Sequence, residues 1–436
     1  MATRSVTDVT IPRMTAKDVI LTIAIMLGAG LASQLVADAL RLPRMLVFLV
    51  AGVLLGPSVS GSVDVPLDSV GAQLLLSLGV SFILFHGGLQ LSTRVLSRVA
   101  VGLTLLALPG VVVTALITGS VAALVFGLPL TSGLLIGAVL APTDPAILIP
   151  LFERLRLRPK VSQTIIAESA LNDPTGAVLA LAVAGVVVSG GASLTVPLRD
   201  FVVDLAISTL LGVVFGVVLS AAVSSRRAGL WRESPAIAVM AVISAGFFSI
   251  DSAGGSGYLG AFLAGLIVGN MEQLRLAMHS EHEREMRIFV STVADVMVML
   301  VFITLGANLP LREIADELAP GLAVIAALIL VARPVSVLAC LLPDRRGSWS
   351  RDVLLFLAWT RETGVVPAAL AGIMVGLHVP DADLVVTTVA LAIIVTLAVQ
   401  ATTKRWLARR LHLIESLVPP AQPPREPASA AGAAAR

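Results

Sequence analysis

The chain has 436 residues, of which 57% are hydrophobic and only 13% charged, with a net charge of +2. A soluble domain carries about 25% charged residues, so this composition, with a mean hydropathy of +0.96, excludes a soluble enzyme and a disordered chain. The apolar residues run continuously and do not alternate, which argues against an outer-membrane barrel and for an all-α polytopic membrane protein.

Residues 1–17 are polar and mixed in charge. The apolar run that opens at Val19 is too long for a signal-peptide core and is read as a retained span. Thirteen apolar segments follow in chain order, at about residues 18–40, 43–62, 67–90, 95–126, 129–150, 161–187, 200–223, 235–252, 256–270, 286–308, 316–342, 350–378 and 383–403. They run from 15 to 32 residues, against the roughly 20 needed to cross the hydrocarbon. The Pro/Ala-rich end of the tail 411–436 predicts disorder. Cys340 is the only cysteine, so neither a disulfide nor a cysteine metal site can form.

Lysine and arginine set the orientation. Twenty-one of them, including Arg154, Arg226, Arg345 and Lys404, fall in one set of alternate loops or just after the last segment. Five fall on the other side: Arg4, Arg13, Lys17, Arg199 and Arg312. This places the N-terminus outside and the C-terminus in the cytoplasm, and it requires an odd number of spans. The pairs Gly52/Gly56, Gly133/Gly137, Gly212/Gly216, Gly265/Gly269 and Gly372/Gly376 have the spacing that lets helices approach closely.

Seven charges lie well inside segments: Asp144, Glu168, Asp173, Asp295, Arg333, Arg361 and Glu362. Each costs at least ~2.5 kcal/mol at a helix centre, so such residues mark ion paths, proton relays or internal pairs. Five of the seven are acidic, which suits a cation.

Segment five reads Ala141-Pro142-Thr143-Asp144-Pro145. Proline removes a backbone donor and clashes with the preceding turn, so the helix breaks here and frees carbonyls, as in the discontinuous helices of secondary transporters. Segment six reads Glu168-Ser169-Ala170-Leu171-Asn172-Asp173-Pro174. At about 100° per residue, its four polar side chains share one arc of the helix, with Ser169 one turn from Asp173. Arg333, before Pro334 in segment eleven, needs an acidic partner, and Glu168 at the edge of that arc is the one expected. Segment twelve reads Thr360-Arg361-Glu362-Thr363-Gly364-Val365-Val366-Pro367, a second interruption in which Glu362 can neutralise Arg361. Two broken segments seven apart, of opposite orientation, give the pattern of an inverted repeat, with segments 1–6 mirrored by 8–13. His86, near the inner end of segment three, is a structural or pH-sensitive residue, and Asp295 lacks a motif.

Together these residues resemble the monovalent cation:proton antiporter-1 family, of the NhaP sodium/proton type. The resemblance rests on Thr143-Asp144-Pro145, on Glu168-Ser169-x-x-Asn172-Asp173, on Arg333 and on Leu42-Pro43 with Gly52-x-x-x-Gly56-Pro57, and it covers about residues 18–410. It implies a homodimer in a bacterial or archaeal cytoplasmic membrane that exchanges Na⁺, or K⁺, for H⁺. Asp144, Asp173, Ser169 and Thr143 then hold the cation or the proton. Asn172 holds the broken helices together, Glu168 pairs with Arg333, and Arg361, Glu362 and His86 are secondary candidates. Asn-Asp at 172–173 goes with electroneutral exchange in that family. Two departures stand out: many relatives have glutamate in place of His86, and many have glycine in place of Glu362. The implied organisation is 1–17 outside, 18–126 for helices 1–4, 127–187 for core helices 5 and 6, 188–310 for helices 7–10, 311–410 for core helices 11–13, and 411–436 as the cytoplasmic tail. Segments 4–6 and 11–13 form a core that moves against a dimerisation domain.

A buried carboxylate is costly unless neutralised, by a cation or by a proton. Asp144 and Asp173 are therefore expected to titrate as a coupled pair, and competition between the two ions gives exchange with no cofactor and no nucleic acid. A proton-coupled organic-cation transporter is a rival, but Tyr258 is the only tyrosine and no segment is aromatic-rich. A channel is a second rival. Gly254-Gly255-Ser256-Gly257 fits an intramembrane serine protease, yet no later segment has a histidine at depth to serve as base.

Overall fold

The computed structural model describes residues 16–40, 42–143, 157–190, 195–225, 229–344, 347 and 349–414. Among the described residues, nine helices are long and apolar enough to cross a membrane and four apolar helices are shorter. Each of the thirteen expected segments contains one of these. The helices are α1 (Ala16–Leu40), α2 (Arg44–Leu55), α3 (Val70–Gln90), α4 (Thr93–Ala107), α5 (Pro109–Phe126), α6 (Leu130–Leu140), α7 (Pro159–Ser189), α8 (Thr195–Val223), α9 (Pro235–Ser252), α10 (Gly257–Gly269), α11 (Ser280–Ala307), α12 (Leu311–Asp316), α13 (Leu318–Ala327), α14 (Arg333–Leu341), α15 (Arg351–Trp359), α16 (Val365–Gly376), α17 (Ala382–Val395) and α18 (Ala401–Arg410).

Local chemistry sets several ends. The Ser69 hydroxyl accepts from the Ala72 amide to start α3, and Ser350 does the same for Val353 at the start of α15. Gly127 closes α5 with φ of 68°, a left-handed conformation that costs glycine nothing. Some boundaries differ from expectation. The fourth segment is two helices, because Pro109 opens α5. Helix α2 stops at Leu55, and residues 56–62 turn outside it. By contrast α7 runs unbroken through Pro174. Two segments contain a widened π-helical turn, at Leu328–Ala332 just before Arg333 and at Thr396–Gln400 just before α18.

Helices α1, α2, α3, α8, α9, α10 and α11 pack mainly on one another, with α10 between α3 and α8. Helices α4–α7 and α13–α18 do the same, with α5 against α6 and α16 against α17. Helices α3 and α16 meet across these two sets. The glycine pairs lie at the closest approaches. A methyl group at Gly52 would sit 2.9 Å from the Gly306 Cα, and one at Gly137 would sit 2.6 Å from the Gly119 nitrogen. At Gly265 it would be 2.8 Å from the Phe85 carbonyl carbon, and at Gly216 2.9 Å from the Ala264 Cα. Gly372 and Gly376 meet side chains instead, Leu76 and Gln73 of α3.

Candidate functional site

Every residue from Ser132 to Leu140 of α6 is buried, yet the helix stops at Leu140 because Pro142 cannot continue its ladder. The carbonyls left over are satisfied by a charge. The Arg361 guanidinium donates to the Leu140 oxygen at 2.5 Å and to the Ala141 oxygen at 2.8 Å. A cation here also meets the negative end of the half-helix dipole.

Thr143 follows the break and is tied to α7 by four contacts. Its amide donates to Asn172 Oδ1 at 3.2 Å, and its hydroxyl accepts from Asn172 Nδ2 at 2.8 Å. The Ser169 hydroxyl donates to the Thr143 carbonyl, and the two hydroxyl oxygens lie 3.1 Å apart. Gly176 permits this approach, since a Cβ there would lie 2.7 Å from the Pro142 Cδ. Asp173 is buried next to Asn172, one turn beyond Ser169. The structure thus brings Thr143, Ser169 and Asn172 into one cluster with Asp173 beside it. Asp144 lies outside the described residues. A hydroxyl that donates to one oxygen keeps lone pairs for another partner, so Ser169 and Thr143, with the buried Asp173 carboxylate one turn along α7, offer oxygens of the kind a hard monovalent cation takes.

Glu168 and Arg333 form the buried pair expected from the sequence. Arg333 Nη1 bonds Glu168 Oε1, and Nη2 reaches Oε2 at 2.9 Å, with both side chains at most 3% exposed. The same guanidinium donates to the Leu357 oxygen at 3.0 Å and the Thr360 oxygen at 3.3 Å. It therefore joins α7 and α14 to the end of α15.

The second interruption is present between α15 and α16, at residues 360–364. One expectation here is corrected. Glu362 does not neutralise Arg361; it pairs with Lys404 of α18, and both side chains are fully buried. Lys404, placed by sequence among the cytoplasmic flanking charges, is buried like Arg361 and Glu362. The missed signal was spacing. Thr396, Gln400 and Lys404 recur every four residues and face the same unwound stretch, but a lysine just past an apolar run looks like a flank.

His86 stands apart from this site. It contacts Gln90 at 2.8 Å and lines a cavity of about 350 Å³ with Arg287 and Ser291. Asp295 is exposed on α11. Ser256 caps α10, accepting from the Leu259 amide at 3.5 Å, and its own amide donates to the Ser208 hydroxyl at 2.6 Å. These contacts give Ser256 a structural place.

Residues 21–410 match the sodium/hydrogen exchanger, transmembrane family. The chain belongs to this family. It is 30% identical over 404 residues to a K⁺/H⁺ antiporter NhaP of Alkalimonas amylolytica, covering 90% of this chain and 67% of that one. It is 32% identical to the K⁺/H⁺ antiporter NhaP2 of a Shewanella species, strain ANA-3, covering 86% of this chain and 63% of that one. The chain thus spans about two thirds of the length of these relatives. A solved sodium proton antiporter from Methanocaldococcus jannaschii at pH 8 shares the fold, with a TM-score of 0.75 and 24% identity, covering 90% of this chain and 99% of that one. The all-helical antiporter architecture expected from the sequence is the one observed.

Proposed function

We propose that the chain exchanges a monovalent cation, Na⁺ first and K⁺ as the second reading, for H⁺ across a cell membrane by alternating access. The observation that carries this is the joining of Thr143, Ser169 and Asn172 at the break of α6, with Asp173 buried beside them. Asp144, next to Thr143 in the chain, supplies the second carboxylate. A proton or a cation can neutralise the Asp173 and Asp144 pair, but not both at once. If the site meets one side of the membrane at a time, this competition becomes exchange.

Family membership and the printed activities of the relatives support the reading. The K⁺ reading is favoured by the two relatives named K⁺/H⁺ antiporters, and Na⁺ by the solved sodium proton antiporter. The Asn172 amide does not ionise, so Asp173 is the titratable member of that dipeptide, which supports electroneutral exchange. Helices α4–α7 and α13–α18 then move as a core against the remaining helices. The working unit is a homodimer with its N-terminus outside. Glu168 and Arg333 brace the core.

The test is purified protein in proteoliposomes, with a pH-gradient dye and Na⁺, K⁺ or Li⁺ added with and without a voltage clamp. Exchange that is voltage-independent and is lost in a folded D173N variant supports the proposal. Exchange that persists in D173N overturns it.

A further inference from the structure

The stretch 360–364 contains two adjacent charges that point to different partners. Arg361 reaches across to the Leu140 and Ala141 carbonyls at the end of α6, while Glu362 meets Lys404 on α18. Adjacent opposite charges in a low-dielectric interior attract strongly, and an unpaired carboxylate there would take the nearest cation. Lys404 removes that option.

The last two elements act as a splint along the same stretch. Thr396 accepts from the Thr363 amide at 3.2 Å, Gln400 donates to the Trp359 oxygen at 2.7 Å, and the Trp359 indole donates to the Thr403 hydroxyl at 2.9 Å. Lys404 completes the row at Glu362. The π-helical turn at Thr396–Gln400 lies within this row. Thr396, Gln400 and Lys404 are each fully buried, so the row lies inside the protein and faces neither lipid nor water.

We propose that Lys404 is a positioning residue for the cation site. By holding Glu362, it keeps that carboxylate from competing with the Leu140 and Ala141 carbonyls for Arg361. The break before Thr143 then keeps the geometry that presents Thr143 and Ser169 oxygens. Among the described residues Lys404 touches no cation ligand; it acts through Glu362 and Arg361.

The transport arm of the test rests on the exchange reading above, and the hydrogen-exchange arm does not. K404M leaves Glu362 buried without its Lys404 partner and next to Arg361 in the chain. Its apparent KM for the cation should rise by at least about fivefold, the lower end of ordinary site-to-site coupling, with the limiting rate little changed. Adding E362Q to K404M removes the competitor and should return KM toward wild type. K404Q serves where methionine prevents insertion. Hydrogen–deuterium exchange of the same proteins in detergent should show K404M speeding exchange in peptides covering 360–364 and 138–143, and E362Q/K404M reversing it. Faster exchange confined to 401–410 would overturn the proposal. So would a K404M whose KM is unchanged, or a double variant no better than the single one. If the wild type fails to exchange cations, the transport reading falls, and the peptides at 138–143 still decide the role of Lys404.

Discussion

Removing the Glu168 carboxylate tests the internal brace directly. Arg333 and Glu168 are 3% and 2% exposed, so E168L strands a guanidinium whose remaining partners are the Leu357 and Thr360 carbonyls. Breaking a buried pair from one side costs ~3–5 kcal/mol, whereas replacing both partners with apolar residues of similar volume is often neutral. R333M should cost as much again, since the Leu357 and Thr360 carbonyls also lose their donor, at ~1–3 kcal/mol for each buried group left unsatisfied. The double variant E168L/R333M should therefore lose less than the two single losses combined, by at least ~2 kcal/mol. The assay is unfolding in mixed micelles titrated with SDS, followed by fluorescence of the four tryptophans. Losses that add to within ~0.5 kcal/mol, as they do for independent sites, would refute the pairing as the source of the stability.

Other outcomes follow from the same contacts. N172A removes both the acceptor of the Thr143 amide and a donor to its hydroxyl. It should cost ~1–3 kcal/mol in the same titration and reduce exchange in proteoliposomes sharply. G137A forces a methyl group against the Gly119 backbone, and G372A meets only the end of Leu76 and Leu67. The first should cost ~1–3 kcal/mol by overpacking and the second clearly less, read from the same curves. S256A loses only a long cap bond to Leu259. It should cost no more than ~1 kcal/mol and leave exchange at the wild-type rate; a parallel loss of exchange and of a peptide-cleaving activity would revive the protease reading.

Much of this was legible before any coordinates. Composition and length specified a polytopic bundle, and Pro142 and Gly364 marked both interruptions, because a missing amide and a missing side chain act locally. Glu168 and Arg333 could be matched because an unpaired charge inside a membrane demands a partner and few partners existed. The Leu108–Pro109 break and the unbroken passage of α7 through Pro174 were not legible. Proline breaks or bends a helix according to what its neighbours can satisfy, which is a tertiary property. Lys404 was missed for a related reason. Only packing distinguishes a lysine that extends into the headgroups from one turned inward to Glu362. His86 and Asp295, two titratable residues within apolar segments that lacked a motif, are both absent from the Thr143–Ser169–Asn172 cluster.

Competition at one site has its most direct test in the pH dependence of cation affinity. Wild-type protein in proteoliposomes, held at a series of symmetrical pH values, is titrated with Na⁺ and with K⁺. One shared site predicts that the apparent KM rises steadily as pH falls, while saturating cation restores a common limiting rate. An apparent KM that stays constant across pH, with only the limiting rate changing, would show that proton and cation bind at separate places and would contradict the shared site at Asp173, Thr143 and Ser169.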